Sequence, residues 1–458
     1  MRNKSTGHTR QAHNYKRNSS DRPLFGARQD LGNNGGSSSS LHRTQPDQRT
    51  ASGQALCDLR VLDLTWYIAG PYCTKLLADY GAEVIKVERP GGGDPARRMG
   101  PFPNDEPHSE KSGLFLYLNT NKKSITINLK STTGIELLGE LVRKVDVLVE
   151  NFAPRVMPSL GLSYHMLYKI NPALVMVSIS NFGQTGPYRD YKASELILYG
   201  MGGAMNATGT PDGGPLKLGG NVVQYQAGAV AAVATMGAIL ASHFRSVGQH
   251  VDVSIYETQM GSIDRRSTNL LSFAYSGTAP FTRYPMAGLF TLLPRGRYAC
   301  KDGFIEFAGG GAQFWPRYVQ MLGMPELLSD PRFSTLEERY RVEHLKELEA
   351  IVMAWLAEHT KQEVMEAAQA ASVACAAVQT IADVVENPHF QDREFFVEIE
   401  HQMAGTFKYP GHPFRLEHGG GRIDSAAPML GEHIEEVFCR QLGHRKEDLL
   451  RLRQTGVI

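Results

Sequence analysis

The chain has 458 residues, more than one simple core accommodates, so two domains are expected. Lys plus Arg number 48 against 47 Asp plus Glu; this balance lacks the basic excess of a nucleic-acid-binding protein and confines any anion site to a local patch. The five cysteines (Cys57, Cys73, Cys300, Cys375 and Cys439) form no CxxC pair, which points to a reducing, cytoplasmic setting rather than a disulfide framework or structural zinc.

Residues 1–56 are polar, Gly/Ser/Asn-rich and poor in aliphatics. Such a segment cannot bury enough surface to offset its ordering entropy, and it reads as a disordered tail. Its arginines raise a mitochondrial transit peptide. The missing apolar face and the acidic Asp21, Asp30 and Asp47 argue against one.

Order is expected from "LRVLDLTWYIAGPYCTKLLADYGAEVIKVERPGGGD". "RVLDL" reads as a buried strand. "YCTKLLADY" has helical spacing, with Pro71 in the first turn and Gly81 placed to cap its end. "AEVIKVE" is a second strand, completing a βαβ unit. "SITINLK" (124–130), "VDVLVENF" (145–152), "LVMVSISNFG" (174–183) and "QHVDVSIYET" (249–258) read as further strands, and "GIELLGELVRK" (134–144) as a helix. Alternation of this kind predicts an α/β fold on an open parallel sheet. The small apolar run 227–241 is too short to span a membrane and reads as a core helix. Beyond it, "GRYACKDGFIEFAGG" (296–310) predicts antiparallel strands about Asp302-Gly303, and 344–371 and the C-terminal stretch are helical in pattern.

A strand–turn–helix–strand ending at Glu88 invites a dinucleotide site. "TWYIAGPYCTK" has one glycine where three are needed, and Met205 stands in the third position of "GMGGAMNATG". "VERPGGGDPARR" (87–98) follows a parallel strand, so Arg89, Arg97 and Arg98 are placed to meet phosphate unless the loop is merely solvated. "ENFAPR" (150–155) and "NFGQTGPY" (181–188) bring amides and aromatics to the same edge. Together these loops favour a phosphate-bearing ligand. Histidine-rich metal spacing and a GxSxG elbow are absent, and no metal is expected.

Those stretches, in order with "NKKSITINLK", "DVLVENFAPRVMPSLGL", "GQHVDVSIYET" and "APMLGEHIEEV", resemble the family III CoA-transferases of CaiB/BaiF type, which include formyl-CoA transferase, carnitine CoA-transferase and α-methylacyl-CoA racemase. The resemblance implies a Rossmann-like large domain built from 57–245 and 386–458, a smaller α+β domain and linker in 246–385, and an interlocked dimer. It implies coenzyme A as substrate rather than a tightly bound cofactor. Arg89, Ile127, Lys130, Asn151 and Phe152 fall at CoA-contacting positions, and Trp66 and Ile68 at the acyl pocket. Ile68 disfavours formate and oxalate and suits a bulkier, more apolar acyl group.

Family transferases attack the thioester with an aspartate. Counting back from Gly248-Gln249 and checking Gly228 puts that aspartate at Gln224, whose uncharged amide cannot readily be acylated and released. The racemase-type aspartate falls at Tyr199. Glu195 occupies the place of a family carboxylate and reads either as an alternative nucleophile or base, or as a helix-start glutamate; Asp212 lies in a turn. Three functions follow: the non-nucleophile subunit of a heteromeric CoA-transferase paired with an Asp-bearing homologue, a self-sufficient transferase or racemase using another carboxylate, or a non-catalytic acyl-CoA-binding protein.

Overall fold

Six strands form one wholly parallel sheet: β1 (Arg60–Asp63), β2 (Glu83–Glu88), β3 (Lys122–Thr126), β4 (Val147–Glu150), β5 (Val175–Ser180) and β6 (Gln249–Ser254), in the order β3-β2-β1-β4-β5-β6. The computed structural model describes residues 53–209, 213–261, 265–278, 295–308 and 312–458. Successive strand residues point to opposite faces. Val61, Val147 and Val175 therefore join the helices Ala69–Asp79 and Val222–Arg245 on one side, while Leu62, Leu148 and Met176 join Thr132–Val142 and the C-terminal Leu449, Val457 and Ile458 on the other. Burial of both faces explains the near-continuous apolar runs.

The Val222–Arg245 helix is long and apolar enough to cross a membrane by length and composition. It crosses Ala69–Asp79 at close range, as expected for a core helix: a Cβ added at Gly228 would lie 2.5 Å from the Ala69 carbonyl oxygen.

A second core, centred on Tyr298, Phe307, Trp315 and Leu356, surrounds the antiparallel sheet of β7 (Arg295–Cys300), β8 (Gly303–Ala308) and β9 (Cys375–Ala377). The β7–β8 turn is Lys301-Asp302, one residue before the expected Asp302-Gly303, because Gly303 already pairs with Cys300 as the first residue of β8. A hairpin of β10 (Phe396–His401) and β11 (Gly405–Pro410) packs Ile399 and Tyr409 against Phe115 and Leu116.

Four other expectations shift. Order begins before residue 57: the Ala55 N–H donates to the Gly419 carbonyl (3.1 Å) and the Leu56 N–H to the Tyr80 carbonyl (2.9 Å). Residues 1–52 of the expected tail lie outside the described residues. β3 starts at Lys122 and ends at Thr126, because Lys122 has a buried partner in Asp63. The strand expected through 258 stops at Ser254 and turns into the helix Ile255–Gly261. The helical stretch 344–371 is two helices, Val342–Glu358 and Lys361–Ala370, the second started by a capping box between Thr360 and Glu363.

Candidate active site

Strand order reverses between β1 and β4, and loops leaving their carboxyl ends form a crevice where open α/β sheets hold ligands. The loop after β1 is gripped from all sides. Asp63 accepts from the Thr65 N–H (2.8 Å) and hydroxyl (2.5 Å), and Lys86 donates to the Thr65 carbonyl (2.8 Å). The Asn151 amide accepts from the Trp66 N–H (2.8 Å) and donates to its carbonyl (2.7 Å). Asp94 accepts from the N–H of Tyr67, a non-glycine residue at φ +65°. Left-handed backbone at such a residue persists because its neighbours over-determine it.

This grip brings four predicted residues together. The Trp66 ring meets Phe152 edge-on (5.3 Å), and the Arg89 guanidinium lies 4.6 Å from the Trp66 centroid. Arg89 is exposed and free to meet an anion. The Asn151 amide has a different task from base recognition, since both its ends hold Trp66 backbone. Ile127 is 1% exposed and packs in the core, so it presents no surface to a ligand. Lys130 is exposed on the loop after β3, at the far end of the same edge.

Two of the three arginines expected at a phosphate leave that role. Arg97 is buried: its Nε and Nη2 donate to Glu88 (2.7 and 2.8 Å), its Nη1 to Glu110 (2.6 Å), and its guanidinium lies 3.7 Å from the Phe115 centroid. Glu88 is consumed by this pairing, in keeping with the missing dinucleotide motif. Arg98 donates to the Gly92 carbonyl (2.6 Å).

A cleft of about 580 Å³ opens beside the crevice. Its walls include Ile68, Phe152, Ile179 and Ile255, and Glu195 and Gln224 meet on one side. Gln224 lies in the first turn of the Val222–Arg245 helix, whose Asn221 makes no side-chain cap. Glu195 caps that helix from outside: its two oxygens accept from the Val223 N–H (3.1 Å) and the Gln224 N–H (3.2 Å). Lys217 lies 3.3 Å from the Glu195 carboxylate. The glutamate opens its own helix, Glu195–Met201, but its charge answers the dipole of the longer one. A carboxylate held by two N–H groups and an ammonium is a poor nucleophile. Tyr199 is buried, with its hydroxyl 3.5 Å from Thr208, and Asp212 lies outside the described residues.

Sequence reasoning missed Arg155, Arg189, Asp190 and Lys192, all on the cleft wall. They sit in solvated loops whose composition carries no periodic signal. Among the described residues, no group of three or more His, Cys, Asp or Glu is arranged to hold a metal ion.

Under the cleft floor, Glu150 at the end of β4 is buried, and it accepts from the Phe152 N–H (2.8 Å). Burial raises its carboxyl to about 7 from an ordinary 4.5, against hydrogen bonds from Ser178 and Phe152. The folded chain therefore keeps a proton between those values that the unfolded chain has released. The stability this contributes is full below about pH 4.5 and is lost as pH rises through 7. Glu150→Gln keeps the acceptor without the charge. Melting curves should show it stabilising the protein by about 1–3 kcal/mol above pH 7, with little change near pH 5.

A profile of CoA-transferase family III matches residues 56–434. The chain is 36% identical over 422 residues to succinyl-CoA–D-citramalate CoA-transferase of Chloroflexus aurantiacus, covering 88% of this chain and 98% of that one. It is 32% identical over 413 residues to the beta subunit of succinyl-CoA–L-malate CoA-transferase of the same organism, covering 89% and 99%. The crystal structure of a CaiB/BaiF family protein from Brucella suis is similar with a TM-score of 0.74 at 29% identity, covering 84% of this chain and 99% of that one.

Proposed function

Because the chain belongs to CoA-transferase family III, we propose that it moves coenzyme A between an acyl-CoA and a free carboxylic acid as one subunit of a heteromer, beside a homologue that carries the attacking aspartate. One observation carries this reading: the cleft places an uncharged amide, Gln224, at the helix start, next to a carboxylate already occupied as a cap. In the proposed cycle the partner's carboxylate attacks the acyl carbonyl, forming a mixed anhydride and releasing CoA thiolate. The thiolate returns to the anhydride, freeing the first acid and leaving an enzyme thioester. The second acid's carboxylate attacks that thioester and expels CoA thiolate, which then takes the acyl group from the new anhydride and restores the enzyme carboxylate. This chain contributes the CoA edge, with Arg89 over Trp66 as the anion contact. That one relative bears the name of a beta subunit supports the heteromeric arrangement.

The outer face of the Val222–Arg245 helix supports a second chain as well. Val233, Leu240 and Phe244 are 75%, 57% and 81% exposed on a helix whose other face is core. Bare apolar surface of this kind marks an interface, and an interlocked pair is the form proposed. Val233→Glu with Phe244→Glu should turn the assembled species into a single chain in light scattering while leaving the circular dichroism spectrum of the fold intact.

The deciding assay compares CoA exchange by this chain alone, by an Asp-bearing homologue alone, and by the two mixed. Exchange in the mixture that exceeds the sum of the separate activities supports the proposal, and full activity of this chain alone sinks it. Exposed Asp190 on the cleft wall gives the self-sufficient alternative a concrete candidate. Hydroxylamine trapping and mass spectrometry would find the acyl group on Asp190 in that case.

A further inference from the structure

Among the described residues of the cleft wall, Arg189 is the one whose charge is both sheltered and unanswered. It lies on the loop that follows β5 and is half-buried. Its Nε is shielded from solvent and has no hydrogen-bond partner. Among the described residues, no carboxylate stands within ion-pair distance of its guanidinium. The contrast with Arg97 is direct, since that guanidinium is saturated by Glu88 and Glu110. A sheltered cation with an open donor is costly in the empty protein, and an arriving anion would relieve that cost. Its planar fork matches a carboxylate bidentately.

Position decides which anion. Arg89 and Lys130, exposed cations that suit CoA phosphates, belong to loops after β2 and β3, whereas Arg155 and Lys192 share the cleft wall with Arg189 but are exposed, so that solvent already answers their charge. Arg189 belongs to the opposite end of the edge, after β5, in the same cleft as Gln224 and Glu195, where the reacting acyl group must sit. Between these polar groups the wall carries Ile68, Ile179 and Ile255, apolar side chains that suit methylene groups. We propose that Arg189 binds a second, remote carboxylate of the acyl group, so that the acid carried in this cleft is a short dicarboxylic acid. The proposal rests on the CoA-transferase reading above. It also narrows the expectation from Ile68: the apolar wall holds the middle of the chain and not its end.

Calorimetric titration of the full-length protein with succinyl-CoA, butyryl-CoA and free CoA tests this. The first two match in chain length and differ in the terminal carboxylate. The native chain should bind succinyl-CoA about tenfold more tightly than butyryl-CoA. Arg189→Gln should abolish that preference and leave butyryl-CoA and CoA within about twofold of native affinity. Arg189→Lys should keep part of the preference, and its melting temperature guards against misfolding. Equal native affinity for succinyl-CoA and butyryl-CoA overturns the proposal while leaving CoA binding intact. An equal loss for all three ligands in Arg189→Gln also overturns it, by making Arg189 a phosphate contact. Failure of the native chain to bind any of the three removes the CoA reading itself and this inference with it.

Discussion

Replacing Gln224 with Asp is expected to give the isolated chain CoA-exchange activity at least about 100-fold above its own background. The scale follows from what a covalent nucleophile contributes: deleting one costs several orders of magnitude in turnover. Gln224 already lies in the first turn of a 24-residue helix and lines the cleft, so the substitution changes chemistry more than placement. A carboxylate there gains from the positive end of the helix. The opposing influence is Glu195, whose charge borders the same turn and would raise the new carboxyl's pKa. Lys217, 3.3 Å from Glu195, offsets part of that repulsion. Exchange between an acyl-CoA and a labelled acid reads the gain, and hydroxylamine trapping should place the acyl group on residue 224. Unchanged turnover in a variant that still binds acyl-CoA would mean that the reaction is served from another carboxylate, and Asp190→Asn would then identify it.

The parallel sheet was legible because burial on both faces imprints long aliphatic runs, and glycines such as Gly81, at φ +106°, punctuate them. Errors occurred where charge is buried. Lys122 and Lys123 look like a loop in sequence, yet Lys122 sits inside the core against an aspartate 59 residues earlier, and no local pattern reveals that. Arg97 misled for the same reason, its partner Glu110 and the Pro428 carbonyl arriving from distant segments. The β10–β11 hairpin did leave a signal, the alternation in "FVEIEH" followed by a Gln-Met-Ala turn into Gly405, and a period-two search of that stretch would find it. At the site, Gln224 and Glu195 were picked out by resemblance, but the cap that joins them is a tertiary contact across 28 and 29 residues. Arg189 has no counterpart in any pattern; it matters only because the fold leaves it sheltered and alone.

Asp63→Asn should cost the fold about 3–5 kcal/mol, the range for removing one member of a buried ion pair. Asp63 and Lys122 are both fully buried and 3.1 Å apart. Burial alone would raise the Asp63 carboxyl, but Lys122, then Lys86, and the hydroxyls of Thr65 and Thr74 more than reverse it and hold the group well below the usual range. Lys122 donates in addition to the Pro71 carbonyl (2.9 Å), the Thr74 hydroxyl (2.8 Å) and Asn119 (2.9 Å). The asparagine would leave this ammonium without its counter-charge at a position sealed from bulk solvent. Chemical denaturation should show a lowered midpoint with an unchanged slope. The damage should also travel to the cleft, because the same carboxylate holds the Thr65 turn that precedes Trp66. Lys122→Met should be costly for the mirror-image reason, an unpaired carboxylate, whereas Asp63→Asn with Lys122→Met should recover much of the stability, since neither charge is then stranded. A double variant as unstable as the sum of the singles would show that the two groups act independently, and the account of this turn as held by a charge pair would fail.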